Sequence, residues 1–181
     1  VTHGYCDFLS GCEMAPAYEY NALYHMLNCG FRLAMVGETD WPCIYDDQVG
    51  MGRSYVQLDQ HPADEAGYAA WIDGIKAGRL YVGDGRSHFL SFSLNGRKQG
   101  SGDVKLTGPG EVAIKAMVAA RLEPEPVANL KDVRGDKAIG WHIEHARISG
   151  TRKVPLELVV NGQAVERIEL LADGKPREVR F

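Results

Sequence analysis

The chain contains no uninterrupted apolar run long enough to span a bilayer and no recognisable signal peptide, so no membrane partner is expected. It also lacks a basic stripe. Its 20 Lys and Arg residues are outnumbered by 24 Asp and Glu, and those in the second half are scattered among acidic residues, unlike a surface that tracks a phosphate backbone. No nucleic-acid partner is expected. Cysteine is scarce: Cys6, Cys12, Cys29 and Cys43 form no CxxC pair and have no histidine at zinc-finger distance, which argues against a zinc knuckle. One or two disulfides stay open if the protein is exported, so the compartment is not assigned. Aromatic residues thin out after residue 86, where only Phe89, Phe92, Trp141 and Phe181 occur. Several fall where a core residue would, which disfavours a sugar-binding platform of exposed rings. Internal repeats and low-complexity tracts are absent.

What is present is enough chain, at 181 residues, to bury a core without a metal or a disulfide. The net charge of −4 hides an asymmetry: residues 1–85 hold four Lys/Arg against twelve Asp/Glu, and residues 86–181 sixteen against twelve. An acidic front half suits cation binding. Opening on Val1 and closing on Phe181 within an alternating run, the chain is expected to be a trimmed or processed piece of a longer protein.

Residues 1–16 read as loop with at most one short strand. Tyr20, Leu23, Tyr24 and Leu27 then recur at i, i+3, i+4, i+7, an amphipathic helix over 17–29 stopped by Gly30. Cys29, beside that glycine, reads as a small core residue. A strand over 32–37 follows, and the pair forms a helix-to-strand unit of the α/β kind. After Asp40 comes a long irregular loop, 41–52, then a strand from Arg53 to Leu58. Pro62 is placed to open a second helix as its first-turn residue; Tyr68, Trp71, Ile72 and Ile75 supply its apolar stripe, and Gly78 closes it. From about residue 80 the period becomes two. Leu90, Phe92 and Leu94 form one alternating face, and Val112, Ile114, Ala116 and Val118 another. Further strands fit 140–148, 154–160, 163–171 and 177–181. Asn161-Gly162 is a strong two-residue hairpin signal, and Ala172-Asp173-Gly174-Lys175 a second turn. Short strands at this spacing point to an antiparallel sandwich of immunoglobulin-like architecture.

The chemistry concentrates at Phe31 to Pro42. An apolar run of strand length followed by Gly37-Glu38-Thr39-Asp40 resembles a barrel strand delivering a carboxylate to the mouth of an active site. The bland alternative is a buried strand and a turn capped by Asp40. His3, Asp7, His25, Asp46 and Asp47 are candidate neighbours, since one carboxylate cannot hold a divalent ion against water. None has diagnostic spacing. Ser87 and His88, adjacent on an extended segment, face opposite ways and cannot act together as nucleophile and base; a role at the junction of the two halves fits them better. Gly83-x-Gly85 lacks the rest of a dinucleotide fingerprint, and His142 and His145, three apart on a strand, are not a metal pair.

Taken together, Tyr24-His25-Met26-Leu27-Asn28-Cys29-Gly30-Phe31-Arg32-Leu33, the Gly37–Asp40 turn, Gly52-Arg53-Ser54-Tyr55-Val56 and Trp71 to Arg79 resemble the C-terminal portion of CehA/McbA-type metallohydrolases. Those enzymes belong to the polymerase-and-histidinol-phosphatase (PHP) superfamily. Tyr81 to His88, Trp141-His142-Ile143-Glu144 and Val154 to Gly162 resemble the sandwich domain that trails the hydrolase domain in some members.

The resemblance implies an α+β chain: a barrel-derived remnant over 1–85, then an immunoglobulin-like β-sandwich over 86–181. It implies a parent that hydrolyses esters or phosphoesters with divalent zinc, manganese or iron. Asp40 is the one position here that matches a metal ligand, and Pro42 stands where many members have histidine. The early His-x-His motif is missing. The chain alone is therefore expected to bind no metal and to be inactive, its natural partner being the missing N-terminal part of the hydrolase domain; catalytic and cofactor-binding residues are assigned to none of its positions. Exposed edges of an interrupted sheet leave room for a homodimer. The rival reading is a non-catalytic β-sandwich that binds a partner or holds the front half in place.

Overall fold

The computed structural model describes residues 1–11, 16–39, 50, 52–83, 85–126, 147 and 150–181. Among them the chain is β-rich, with ten strands and two short helices arranged as one parallel pair and three antiparallel sheets. In the front half, β1 (Phe8–Gly11) pairs in parallel with β2 (Ala34–Gly37), Phe8 opposite Ala34 and Gly11 opposite Gly37. Parallel neighbours need a crossover, and α1 (Pro16–Asn28) supplies it. α1 ends where expected. Gly30 takes φ +86°, its N–H reaches Leu27 O at 2.9 Å, and the Phe31 N–H reaches Met26 O at 3.1 Å, the paired bonds of a Schellman cap. The apolar stripe is only half used: Leu23 and Tyr24 are half-buried, while Tyr20 and Leu27 are exposed, because the ribbon beside α1 is just two four-residue strands wide. Cys29, expected in the core, is exposed in the turn past the helix end.

α2 (Glu65–Lys76) does not start at Pro62. Asp64 is extended, and its carboxylate accepts the Gly67 N–H at 2.8 Å, which makes it the cap. Pro62 instead packs over the first turn, its Cα 2.6 Å from where a Cβ on Gly67 would sit, so only glycine fits at 67. Tyr68 leaves the predicted stripe, 62 % exposed and stacked on Trp71. Ile75 reaches the core with Val36 and Leu80, and Trp71, Val56 and Ala34 pack against them. β3 (Arg53–Val56) and β4 (Leu80–Gly83) flank α2 in the chain and pair antiparallel, Arg53 opposite Gly83 and Tyr55 opposite Tyr81. The strand expected over 53–58 is two residues shorter, though the Gln57 N–H still bonds Arg79 O at 2.9 Å.

The back half builds a four-stranded antiparallel sheet in the order β10 (Arg177–Arg180), β7 (Ile114–Ala120), β5 (Ser87–Leu94), β6 (Arg97–Lys98). β7 keeps the predicted alternation, with Ile114, Ala116, Val118 and Ala120 buried and Lys115 exposed. β5 does not. A bulge between Phe89 and Ser91 shifts its register and turns Leu90 outward to 49 % exposure, while Phe92 packs on the core. β8 (Lys153–Val160) and β9 (Gln163–Leu171) form the expected hairpin, with Asn161 and Gly162 at φ +51° and +78°, both positive as a type I′ turn requires. Leu170 and Ala172 join Ala116, Val118, Ala120 and Val179 in one buried cluster, with Val154, Leu156 and Ile168 packed against it. The hairpin thus covers one face of the sheet. At 172–176 the chain crosses from the hairpin to β10, and Asp173 holds the crossing: it accepts two bonds from Arg177, at 2.7 and 2.9 Å, and one from the Lys175 N–H at 3.0 Å. Trp141 and most of the strand expected over 140–148 lie outside the described residues.

Candidate functional site

Four-residue strands alternate their faces, and the β3–β4 ribbon divides sharply. Val56 and Leu80 turn into the front core. Arg53, Tyr55 and Tyr81 share the other face, where Gly83, opposite Arg53, adds no side chain. Tyr55 and Tyr81 stack with centroids 4.7 Å apart and planes 10° from parallel. His88, on β5, meets them edge-on, 5.0 Å from the Tyr55 ring and 6.1 Å from the Tyr81 ring. Its Nδ1 lies 2.7 Å from the Tyr81 hydroxyl. Burial, then the neighbouring Tyr55, pushes the Tyr81 phenol up to about 12, so it keeps its proton and donates whenever Nδ1 is bare. Phe89 closes the cluster 6.0 Å from Tyr81. His88 therefore reaches back from β5 to β4, and Ser87 beside it is exposed.

At the Arg53 end of the ribbon the carboxyl end of β2 is fastened to β3. Ser54 Oγ accepts the Gly37 N–H at 2.9 Å and donates to Gly37 O at 3.2 Å. A Cβ on Gly37 would come within 2.6 Å of the Arg53 backbone nitrogen, which is why the strand must end on a residue without a side chain. Thr39 Oγ1 accepts the Gly50 N–H at 3.1 Å, and Arg53 Nε donates to Gly50 O at 2.6 Å. Thr39, Gly50 and Arg53 form one knot at the end of β2.

Asp40, which follows Thr39 in the chain, lies outside the described residues, as do Asp46, Asp47, His142 and His145. His3 and Asp7 are exposed near the start of the chain, and His25 is exposed in the last turn of α1. Among the described residues no three His, Cys, Asp or Glu side chains converge as metal ligands would. Those residues do not by themselves fit a metal ion. The arrangement they do make is an anion-compatible guanidinium beside a stacked phenol pair and an oriented imidazole.

Sequence reasoning did not single out Arg53, Tyr55 or Tyr81. The available signal was Gly50-x-Gly52-Arg53-x-Tyr55 set against Tyr81-x-Gly83-x-Gly85: alternating polar positions in two short strands, bordered by glycines. Compared with known proteins, the chain matches no family, no curated protein and no solved structure.

Proposed function

We propose that the chain is the C-terminal part of a metal-dependent hydrolase of the CehA/McbA type, acting on ester or phosphoester bonds. In this reading residues 1–85 are the last α/β elements of the hydrolase domain, and residues 86–181 are an immunoglobulin-like sandwich whose two layers are the four-stranded sheet and the β8–β9 hairpin. Asp40 is a metal ligand, completed by residues that precede this chain. One observation carries the reading: the parallel β1–α1–β2 unit ends on Gly37, locked by Ser54, and on Thr39, anchored to Gly50. The residue that comes next is Asp40, and the carboxyl end of a parallel strand is where barrel enzymes place their chemistry. The antiparallel β3–β4 pair departs from an all-parallel barrel, and it fits an element that borders the barrel.

The test is elemental analysis and turnover on this chain and on its full-length parent, each with and without Asp40→Ala. The parent is expected to hold zinc, manganese or iron and to lose both metal and hydrolysis on substitution, while the chain alone holds no stoichiometric metal. Unchanged metal content and unchanged turnover in the substituted parent would sink the reading. A second reading, a structural module that clamps the front half, is favoured by the seam itself. There Tyr81 bonds His88, and Gln99 Nε2 donates to Leu80 O at 2.5 Å.

A further inference from the structure

The long hairpin has two edges, and they differ. The Ala172 N–H bonds Arg152 O at 2.7 Å, so 172 and 152 are a bonded pair of the β8–β9 ladder. Bonded and unbonded pairs alternate in an antiparallel ladder, and the register runs without a break from Leu171 opposite Lys153 to Glu166 opposite Leu158. The backbone N–H and C=O groups of residues 167, 169 and 171 therefore point away from β8. Leu171 agrees, since its C=O accepts from Arg177 Nη1 at 3.0 Å. Among the described residues no strand pairs with Arg167 and Glu169 on that side. The edge on β8 is blunted. By the same alternation residues 153, 155 and 157 direct their backbone groups away from β9, and Pro155 has no N–H to offer there.

An open edge accepts a strand whose side chains match it. We infer that β9 is a homodimer edge, pairing antiparallel with β9 of a second copy about a two-fold axis at Ile168. Outward backbone groups must meet outward ones, so odd residues must pair with odd, and charge then selects the register. Centred on 167 or on 169, the pairing sets arginine against arginine or glutamate against glutamate on the axis. Centred on 168, it sets Arg167 opposite Glu169 of the second copy, and the two-fold axis makes that pair twice. Both side chains stand on the outer face, 58 % and 51 % exposed. Four backbone bonds join residues 167 and 169 across the axis, and the two Ile168 side chains meet as a close unbonded pair on the inner face. Within one chain Arg167 Nε lies 3.3 Å from Glu169 Oε1, and its Nη1 lies 3.9 Å from Glu157 Oε1, so the second copy joins charges that are already gathered. This edge belongs to the back half, apart from the interrupted sheet of the front half, and the inference does not rest on the hydrolase reading.

The experiment is sedimentation velocity on the 181-residue chain over a concentration series. The charge variants carry Glu157→Gln, because Glu157 faces position 167 from β8 and would repel a glutamate there. The unsubstituted chain and Glu157→Gln alone are expected to dimerise alike. Adding Arg167→Glu or Glu169→Arg turns both interchain pairs repulsive and should weaken the dimer roughly tenfold; adding the two together should restore it. A chain that stays monomeric overturns the inference, and so does a dimer that is indifferent to the single reversals or is not rescued by the double one. Amide hydrogen exchange on the unsubstituted chain decides even where a variant fails to fold. The Arg167 and Glu169 N–H groups should be protected in the dimer and exchange fast on dilution. A dimer in which both stay fast overturns the inference. Protection at every dilution overturns it as well, because the edge would then be covered within one chain.

Discussion

Val118→Ala tests whether the hairpin and the sheet share one core. Val118 is 2 % exposed, in the middle of β7, and the residues buried with it include Ala116, Ala120 and Ala172. Removing two methyl groups forfeits about 1.6 kcal/mol of transfer free energy at about 0.8 kcal/mol each. The void adds roughly 1 kcal/mol if a few tens of cubic ångströms persist. Ala116, Ala120 and Ala172 carry no side chain long enough to swing into that space, and the larger Leu170 and Val179 can fill it only in part, so some of the void persists. The expected loss is about 2.5 kcal/mol, or roughly 5–10 °C in Tm for a chain of this size. The assay is urea unfolding followed by circular dichroism, with Val165→Ala as the reference, since Val165 is 59 % exposed on the outer part of the same hairpin. That variant should stay within about 0.5 kcal/mol of the parent. If the two substitutions cost the same, β8–β9 does not cover β7 and the two-layer description fails.

Tyr81→Phe removes the 2.7 Å bond to His88 and should cost about 1 kcal/mol in the same unfolding assay. In a tyrosinate absorbance titration the unsubstituted protein should show one phenol ionising near 12, and the variant should lack it. The folded phenol titrates above its unfolded value of 10.0, so its effect on stability is constant below that value and unfavours the fold as pH rises toward 12. Asp173→Asn works at the other end of the scale. Hydrogen bonds from Arg177, then from the Lys175 N–H, hold the Asp173 carboxyl well below the usual carboxylate range, so the stability it contributes is present above its unfolded value of 3.8 and fades as pH falls below that. The Tm gap between the unsubstituted protein and Asp173→Asn should therefore narrow in acid, and a gap that widens there would contradict the assignment.

Local signals were the legible ones. Gly30 and Gly78 stop their helices with matching bonds, Gly78 N–H to Ile75 O and Arg79 N–H to Gly74 O in the second case, because such a cap is specified within a few residues. Asn161-Gly162 fixed its hairpin for the same reason. Asn95-Gly96, with φ +49° and +77°, turns β5 into β6 on an identical signal, which sequence reading passed over because β6 is only two residues long. Pairings decided elsewhere in the chain were not legible. The bulge that exposes Leu90 depends on where β7 lies, and the face joining Arg53 to Tyr81 exists only once β3 and β4 meet across α2. Asp40, the site residue read from sequence, falls outside the described residues, and the knot of Thr39, Gly50 and Arg53 beside it was not legible, because its bonds join residues that only the fold brings together.

The bond from His88 to Tyr81 spans a boundary that sequence pattern placed after residue 85. Strands β4 and β5 follow one another with three residues between them, and the edge-on ring of His88 and the Gln99 bond to Leu80 brace the corner. Such a corner behaves as a stiff elbow. β4 is in turn paired along its whole length with β3, from Leu80 opposite Val56 to Gly83 opposite Arg53. Loosening that corner, as Tyr81→Phe would, should therefore be felt in β3 as well as in β5.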